Sequence, residues 1–221
     1  MKKRYAVRAL VPAVLATLAL SGCGSSDSGT DGGEATAKQP SQQGTTGAAD
    51  SAAGKPVTAG GTLGAAGSAC PMPVTFDFAA SWTPEAVEVD PGSELAALGQ
   101  QGPVTMICEI DAKPAGNIGY LRVWAGEPSG SEPRAVLEAF LAADESAGKA
   151  AYTEVRAGSL AASEVTYTVS SELLDEPKTE RAFAVVTPDG PVVVHLGGLD
   201  TGEHEQMLPA YELAKKTLKA G

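Results

Sequence analysis

The boundary at Leu20-Ser21-Gly22-Cys23 limits this chain more than any other feature, because the segments on either side of it offer little to a packed core. Before it, Lys2, Lys3, Arg4 and Arg8 stand with no acidic residue, and Ala9 to Leu20 is almost wholly apolar. A charged start, a short apolar run and small residues before a boundary make a secretory signal peptide over residues 1–22. The run is shorter than the roughly 20 apolar residues of a spanning helix. After it, Gly24 to Ala69 is built of Gly, Ser, Thr, Ala, Gln and Asp, with only Val57 and Leu63 as large aliphatics and no aromatic. Such a stretch cannot bury enough apolar surface to offset its ordering entropy, so residues 23–69 are expected to be a disordered tether. That leaves residues 70–221, about 150 residues, for a single globular domain.

Leu20-Ser21-Gly22-Cys23 resembles the lipobox of bacterial lipoproteins, with every position filled by a favoured residue. The resemblance implies that the Cys23 thiol receives a diacylglycerol, that the leader is cut away, and that Cys23 becomes the first residue. Its new amino group is then open to acylation by a fatty acid such as palmitate. Each buried methylene contributes about 0.8 kcal/mol, so two acyl chains hold a protein that one holds only marginally. The implied address is the extracytoplasmic face of the cell membrane, with the membrane reached through the anchor on Cys23. The plainer alternatives are an ordinary signal peptide with an accidental cysteine, or a retained membrane anchor.

The chain carries a formal charge of −11; losing the four basic residues of the leader leaves 12 basic against 27 acidic residues, or −15. An acidic surface repels nucleic acid and anionic headgroups, which excludes a nucleic-acid partner and argues against a polybasic membrane patch. The Ala/Gly/Pro/Val bias points to a GC-rich genome such as an actinobacterium's. Besides Cys23, only Cys70 and Cys108 remain. Outside the cytoplasm disulfides form and persist, and two thiols allow one pairing, so a Cys70–Cys108 disulfide is expected. The rival, a two-cysteine metal site, lacks any C-x-x-C pair or neighbouring histidine.

From Cys70 onward the pattern reads as strands and helices. Val74 to Phe78 alternates apolar and polar, as a strand does. A second extended piece runs over Ala86–Val89, and Ser93–Leu98 suits a short helix. Residues 104–110 and 118–125 read as a hairpin. Ser131 to about Ala147 reads as a helix with Ser131 as N-cap, Pro133 in its first turn and an apolar stripe of Val136, Leu137, Phe140 and Leu141. Strands follow over 152–156, 165–169 and 181–187. Thr187-Pro188-Asp189-Gly190 is a turn signal joining Phe183–Val186 to Val192–Leu196. A last helix runs to Lys219, with Met207, Tyr211, Ala214 and Leu218 on one face and Pro209 marking its first turn or a kink.

Hairpin-grouped strands with helices between them give an α+β fold, an antiparallel β-sheet with helices packed on it. The opening strand with Phe76, Phe78 and Trp82, the hairpin, the helix with Phe140 and Leu141, the Val165/Tyr167 strand, the second hairpin and the closing helix resemble, in that order, the PsbP-like α/β/α sandwich. That fold is shared by photosystem-associated lumenal proteins and by mycobacterial lipoproteins of the LpqN type, and the resemblance covers residues 72–219. It implies a binding or assembly-support module and carries no functional residue over, because it rests on no motif.

Candidates for chemistry are few. His195 alternates with Val193 and is expected to be a satisfied or half-buried strand histidine. His204 sits in Asp200-Thr201-Gly202-Glu203-His204-Glu205, which reads as a solvated helix entry; a cation site there lacks zincin or EF-hand spacing. Trp82, Tyr120 and Trp124 suit a core better than a pocket. Asp175-Glu176-Pro177-Lys178 reads as an exposed loop. No G-x-S-x-G is present. No catalytic residue, cofactor or metal is therefore expected. The expected function is that of a binding module with a protein partner at the cell envelope. The alternatives are a small-molecule or lipid carrier with a cavity between sheet and helices, and an enzyme of unrecognised type.

Overall fold

The computed structural model describes residues 57–221, except Pro91, Leu95 and 172–175. The leader, Cys23 and the tether as far as residue 56 lie outside the described residues. Strands β1 (Ala59–Leu63), β2 (Val74–Ala79) and β3 (Thr83–Ala86) open the fold. A 3₁₀ turn over Ala96–Gly99 leads to the two-residue β4 (Gln100–Gln101) and to β5 (Val104–Asp111). Then follow β6 (Gly119–Ala125), α1 (Pro133–Ala142), β7 (Ala147–Ala157), β8 (Leu160–Val169), β9 (Lys178–Thr187), β10 (Gly190–Gly198), α2 (Thr201–Thr217) and β11 (Lys219–Ala220).

The main sheet has the order β3-β5-β6-β10-β9-β8-β7, with β4 paired to β5, and every pairing in it is antiparallel. Alternation sorts its side chains onto two faces. Val165, Tyr167, Ala182, Ala184 and Val193 meet Val136, Leu137 and Phe140 of α1. On the other face, Phe183, Val185, Val192, Val194 and Leu196 meet Met207, Tyr211 and Ala214 of α2. Beside α2 lies a small sheet, β1-β2-β11, and its Phe76 joins that second core. The layers are helix, sheet and helix, the expected α+β sandwich.

Several boundaries differ from the sequence reading: the extended piece expected over Ala86–Val89 is β3 at Thr83–Ala86, the short helix expected over Ser93–Leu98 is the 3₁₀ turn at Ala96–Gly99, and the strands expected over 152–156 and 165–169 begin earlier, as β7 at Ala147 and β8 at Leu160. The domain takes in residues expected to be tether: β1 pairs with β2, from Ala59 opposite Ala79 to Leu63 opposite Phe76, and Leu63 is buried. Its glycines permit the approach, since a Cβ on Gly64, at φ +102°, would stand 1.9 Å from the Val74 carbonyl oxygen. The first helix stops at Ala142 and not near Ala147. There Asp144 accepts from the backbone and hydroxyl of Ser146 at 2.9 and 2.5 Å, a local turn that competes with helix, and β7 starts at once. Glu132 and not Ser131 stands at its N-cap. In α2, Pro209 lies inside the helix and not in its first turn, the first of its two expected places, and the chain leaves the helix at Leu218 so that Lys219 can pair with Thr75 of β2.

The sheet edges are blunted. β3 carries Pro84, which cannot donate to a further strand. β7 is bulged between Gly148 and Ala151, with Lys149 at φ +48°. A charged residue in a bulge deters edge-to-edge pairing.

Candidate functional site

The polar side chains inside this fold form two groups, one on each face of the main sheet. On the α1 face, β9 places Lys178 and Glu180 two residues apart, so both point the same way. Register sets Tyr167 of β8 opposite Glu180, and His195 of β10 opposite Ala182, one step along. His195 Nε2 lies 2.8 Å and the Tyr167 hydroxyl 3.1 Å from Glu180 Oε2, while Lys178 Nζ stands 2.7 Å from Oε1. Lys178 also donates to the Gly198 carbonyl at 2.8 Å. An ionised carboxylate only accepts, so Nε2 carries a proton, and the 3.1 Å approach of the Tyr167 oxygen to Nε2 accompanies two bonds into one carboxylate oxygen. Burial pushes Glu180 up, but His195 and Lys178 more than reverse that and hold it at about 2. Burial, then the Glu180 charge and hydrogen bond, raise the Tyr167 phenol far above its ordinary value. With three donors on one carboxylate, the cluster is a lock across β8, β9 and β10 and offers no unengaged base.

The same face continues past the reach of α1. Arg122 of β6 lies opposite His195 on one side and opposite Glu109 of β5 on the other, and its Nε donates to Glu109 Oε1 at 2.6 Å. These two side chains are 31% and 30% exposed, against 9% for His195, so the row runs from a buried end to one that solvent reaches. The Arg122 guanidinium also lies 4.8 Å over the Tyr120 ring.

On the α2 face the polar groups are less well served. Tyr211 and Lys215 both donate to Glu164 Oε1 at 2.8 Å. His204 is 1% exposed and neither ring nitrogen has a hydrogen-bond partner; Arg181 Nε is buried and unpartnered as well. Burial first, and then the Arg181 guanidinium, lower His204 to about 4, with Glu180 and the Leu196 backbone acting the other way.

His195 is therefore the satisfied strand histidine expected. His204 is not a solvated helix entry: Asp200 is the N-cap, accepting from Glu203 N at 2.8 Å, which turns the fourth helical residue inward. Two acids of that stretch are engaged, Asp200 in the cap and Glu203 as acceptor from Asn117 Nδ2 and Ile118 N, both at 3.1 Å. Among the described residues no three His, Cys, Asp or Glu side chains gather as a metal site. Trp82 and Trp124 are core residues, while Tyr120 is half-buried on the polar row. Lys178 is no exposed loop residue but a member of the lock; Asp175 lies outside the described residues. Cys70 and Cys108 form a disulfide with Cα atoms 5.9 Å apart, tying the segment between β1 and β2 to β5. Glu180 and Tyr167 were not anticipated, because their meeting is a matter of register.

Between sheet and α2, where a carrier would hold cargo, Phe183, Leu196, Met207 and Tyr211 fill the space. No helix among the described residues is long and apolar enough to cross a membrane.

No curated protein matches this chain. Among solved structures it is similar to the cyanobacterial PsbP (CyanoP) of Synechocystis sp. PCC 6803, determined in solution. The identity is 11% and the TM-score 0.46, over 67% of this chain and 87% of that one. The profile of a family described as uncharacterised lipoprotein matches residues 36–218, which takes in both helices and every strand among the described residues except β11. This chain belongs to that family of lipoproteins.

Proposed function

We propose that this protein is a non-enzymatic binding module held by lipid on Cys23 at the extracytoplasmic face of the cell membrane. Residues 1–22 are its leader, and a tether from Cys23 to about residue 56 carries the domain away from the headgroups. The domain engages a protein partner of the envelope through the solvent-reached end of the polar row. The observation that carries this reading is the row itself: Arg122 and Glu109 are positioned by neighbouring strands, backed by a fully bonded lock, and left about 30% exposed. A positioned, half-exposed arginine beside an aromatic ring is the kind of group on which interfaces concentrate binding energy. Family membership and the disulfide, which suits an oxidising compartment, support the anchor and the address.

The test has two arms. In fractionated cells, Cys23→Ser should move the protein out of the membrane fraction; retention there refutes the lipid anchor. In cross-linking from intact cells, a partner caught by the native chain should be lost with Arg122→Glu and kept with Arg134→Glu on the opposite end of α1's layer. Equal capture by both variants refutes the row as the interface.

A further inference from the structure

The small sheet and the end of α2 enclose a cleft of about 420 Å³ lined by Thr62, Thr75, Asp77, Ser159, Lys216 and Lys219, among others. Its volume lies within the range of small-ligand sites. Its walls come from β1, β2, the β7–β8 turn, α2 and β11, and each is pinned. The Asp77 N–H donates to Thr217 Oγ1 at 2.9 Å, and that hydroxyl donates to the Leu213 carbonyl at 2.8 Å. Gly158, at φ +55°, donates to the Lys215 carbonyl at 2.8 Å and sits so close to α2 that a Cβ would stand 1.8 Å from the Leu218 oxygen. The cleft is preformed.

Its two lysines, Lys216 and Lys219, differ from the lysine beside them in having no ion pair among the described residues. Lys215, next in sequence, is neutralised by Glu164 and Glu212, both at 2.8 Å. Among the described residues Lys216 and Lys219 have no ion pair, and Arg156 reaches only the carbonyl of cleft-lining Ser159. Two cations without a carboxylate partner, Lys216 and Lys219, thus line one indentation. Gly158 already occupies the Lys215 carbonyl at the helix end, and Lys219 lies beyond the helix on β11. Against them stands one acid, Asp77, which accepts from the Thr62 hydroxyl at 2.6 Å.

We propose that this cleft binds a phosphate ester carried on a polyol. Lys216 and Lys219 receive the phosphate as charge-assisted donors. Asp77 and the hydroxyls of Thr75 and Ser159 receive the polyol's hydroxyl groups, which gives the lone acid a role that an inorganic anion would not. The chemistry is common to an anionic lipid headgroup and to a free sugar or glycerol phosphate.

The full-length chain with Cys23→Ser is the material for both arms. In the first, inositol phosphate and glycerol phosphate are titrated by calorimetry; saturable binding is expected, weakened at least about tenfold by Lys216→Glu with Lys219→Glu and unchanged by Lys113→Glu. In the second, the chain is sedimented with phosphatidylcholine vesicles with and without phosphatidylinositol. Binding of the free esters with enrichment on the phosphatidylinositol vesicles identifies a lipid headgroup as the source, and binding of the free esters alone identifies a soluble one. Absence of binding in both arms, or binding that the double lysine variant leaves intact, overturns the proposal.

Discussion

His195 and His204 are buried to a similar degree, at 7% and 1% exposure counted over the whole residue, on opposite faces of one sheet. They differ in what burial has been matched with. His195 donates to a carboxylate that a lysine also holds, whereas His204 has nothing on either nitrogen. The layers around them differ in the same sense. The α1 layer is a ten-residue helix over part of the sheet, and the strands beyond it are held by paired charge. The α2 layer is a seventeen-residue helix with a small sheet and a disulfide, large enough in apolar area to carry an unpartnered imidazole. A buried polar group survives by bonding or by the surplus of its surroundings, and the two histidines use one solution each.

The largest expected effect tests the surplus on the α2 side. Removing the disulfide with Cys70→Ala and Cys108→Ala opens a loop with a sequence separation of 38 and should lower unfolding stability by about 4 kcal/mol on the chain-entropy estimate. Urea denaturation should show a lower midpoint, and hydrogen exchange should rise first in β1 and β2. An unchanged midpoint would mean that apolar packing alone holds this layer. Next comes the lock on the α1 side. Glu180→Leu strands Lys178, His195 and Tyr167 without their common acceptor and should cost about 3 kcal/mol. A neutral result would show the bonds to be dispensable and would break the contrast between the faces.

How much of this was legible follows from how local each cause is. The hairpins over 104–125 and 183–196 could be read because alternation and the Thr187-Pro188-Asp189-Gly190 turn are local signals. β1 could not, because Ala59-Gly60-Gly61-Thr62-Leu63 has little strand propensity of its own and is ordered by β2. The lock was hidden for a related reason: nothing near Lys178 or Glu180 in sequence says that Tyr167 and His195 arrive beside them. The inward turn of His204 was legible and missed. Asp200-x-x-Glu203 is an N-cap signature, and reading it as such fixes the helix start and puts position 204 on the face of Met207 and Tyr211.

The pH dependence separates the two faces without any mutation. His204 binds its proton at about 4 when folded and near 6.5 when unfolded, so between those values the unfolded chain holds more protons. Stability should therefore fall as pH drops from about 6.5 to about 4, by about 3 kcal/mol, and then level off for this group. Glu180 titrates at about 2 when folded against 4.5 when free. Its contribution is complete above 4.5 and is lost as pH falls towards 2, again by about 3 kcal/mol. Urea midpoints across pH 7 to 2 should thus show two successive declines, the first from the α2 face and the second from the α1 face. A flat profile between 6.5 and 4 would mean that His204 has found a partner.

The smallest effect has the sign that decides the comparison. His204→Leu, close in volume, removes two unbonded nitrogens and adds apolar contact with the core around Met207 and Leu196. Stability at neutral pH should rise by about 1–2 kcal/mol, and the decline between pH 6.5 and 4 should vanish while the one below 4.5 remains. His195→Leu makes the same chemical change on the other face. There it leaves Glu180 short of one of its three donors, so it should lower stability by about 1–3 kcal/mol. Opposite signs for one substitution at two buried histidines would show that bonding, and not burial, sets the cost. Equal signs would place His204 inside a polar site whose other member binds from outside the chain.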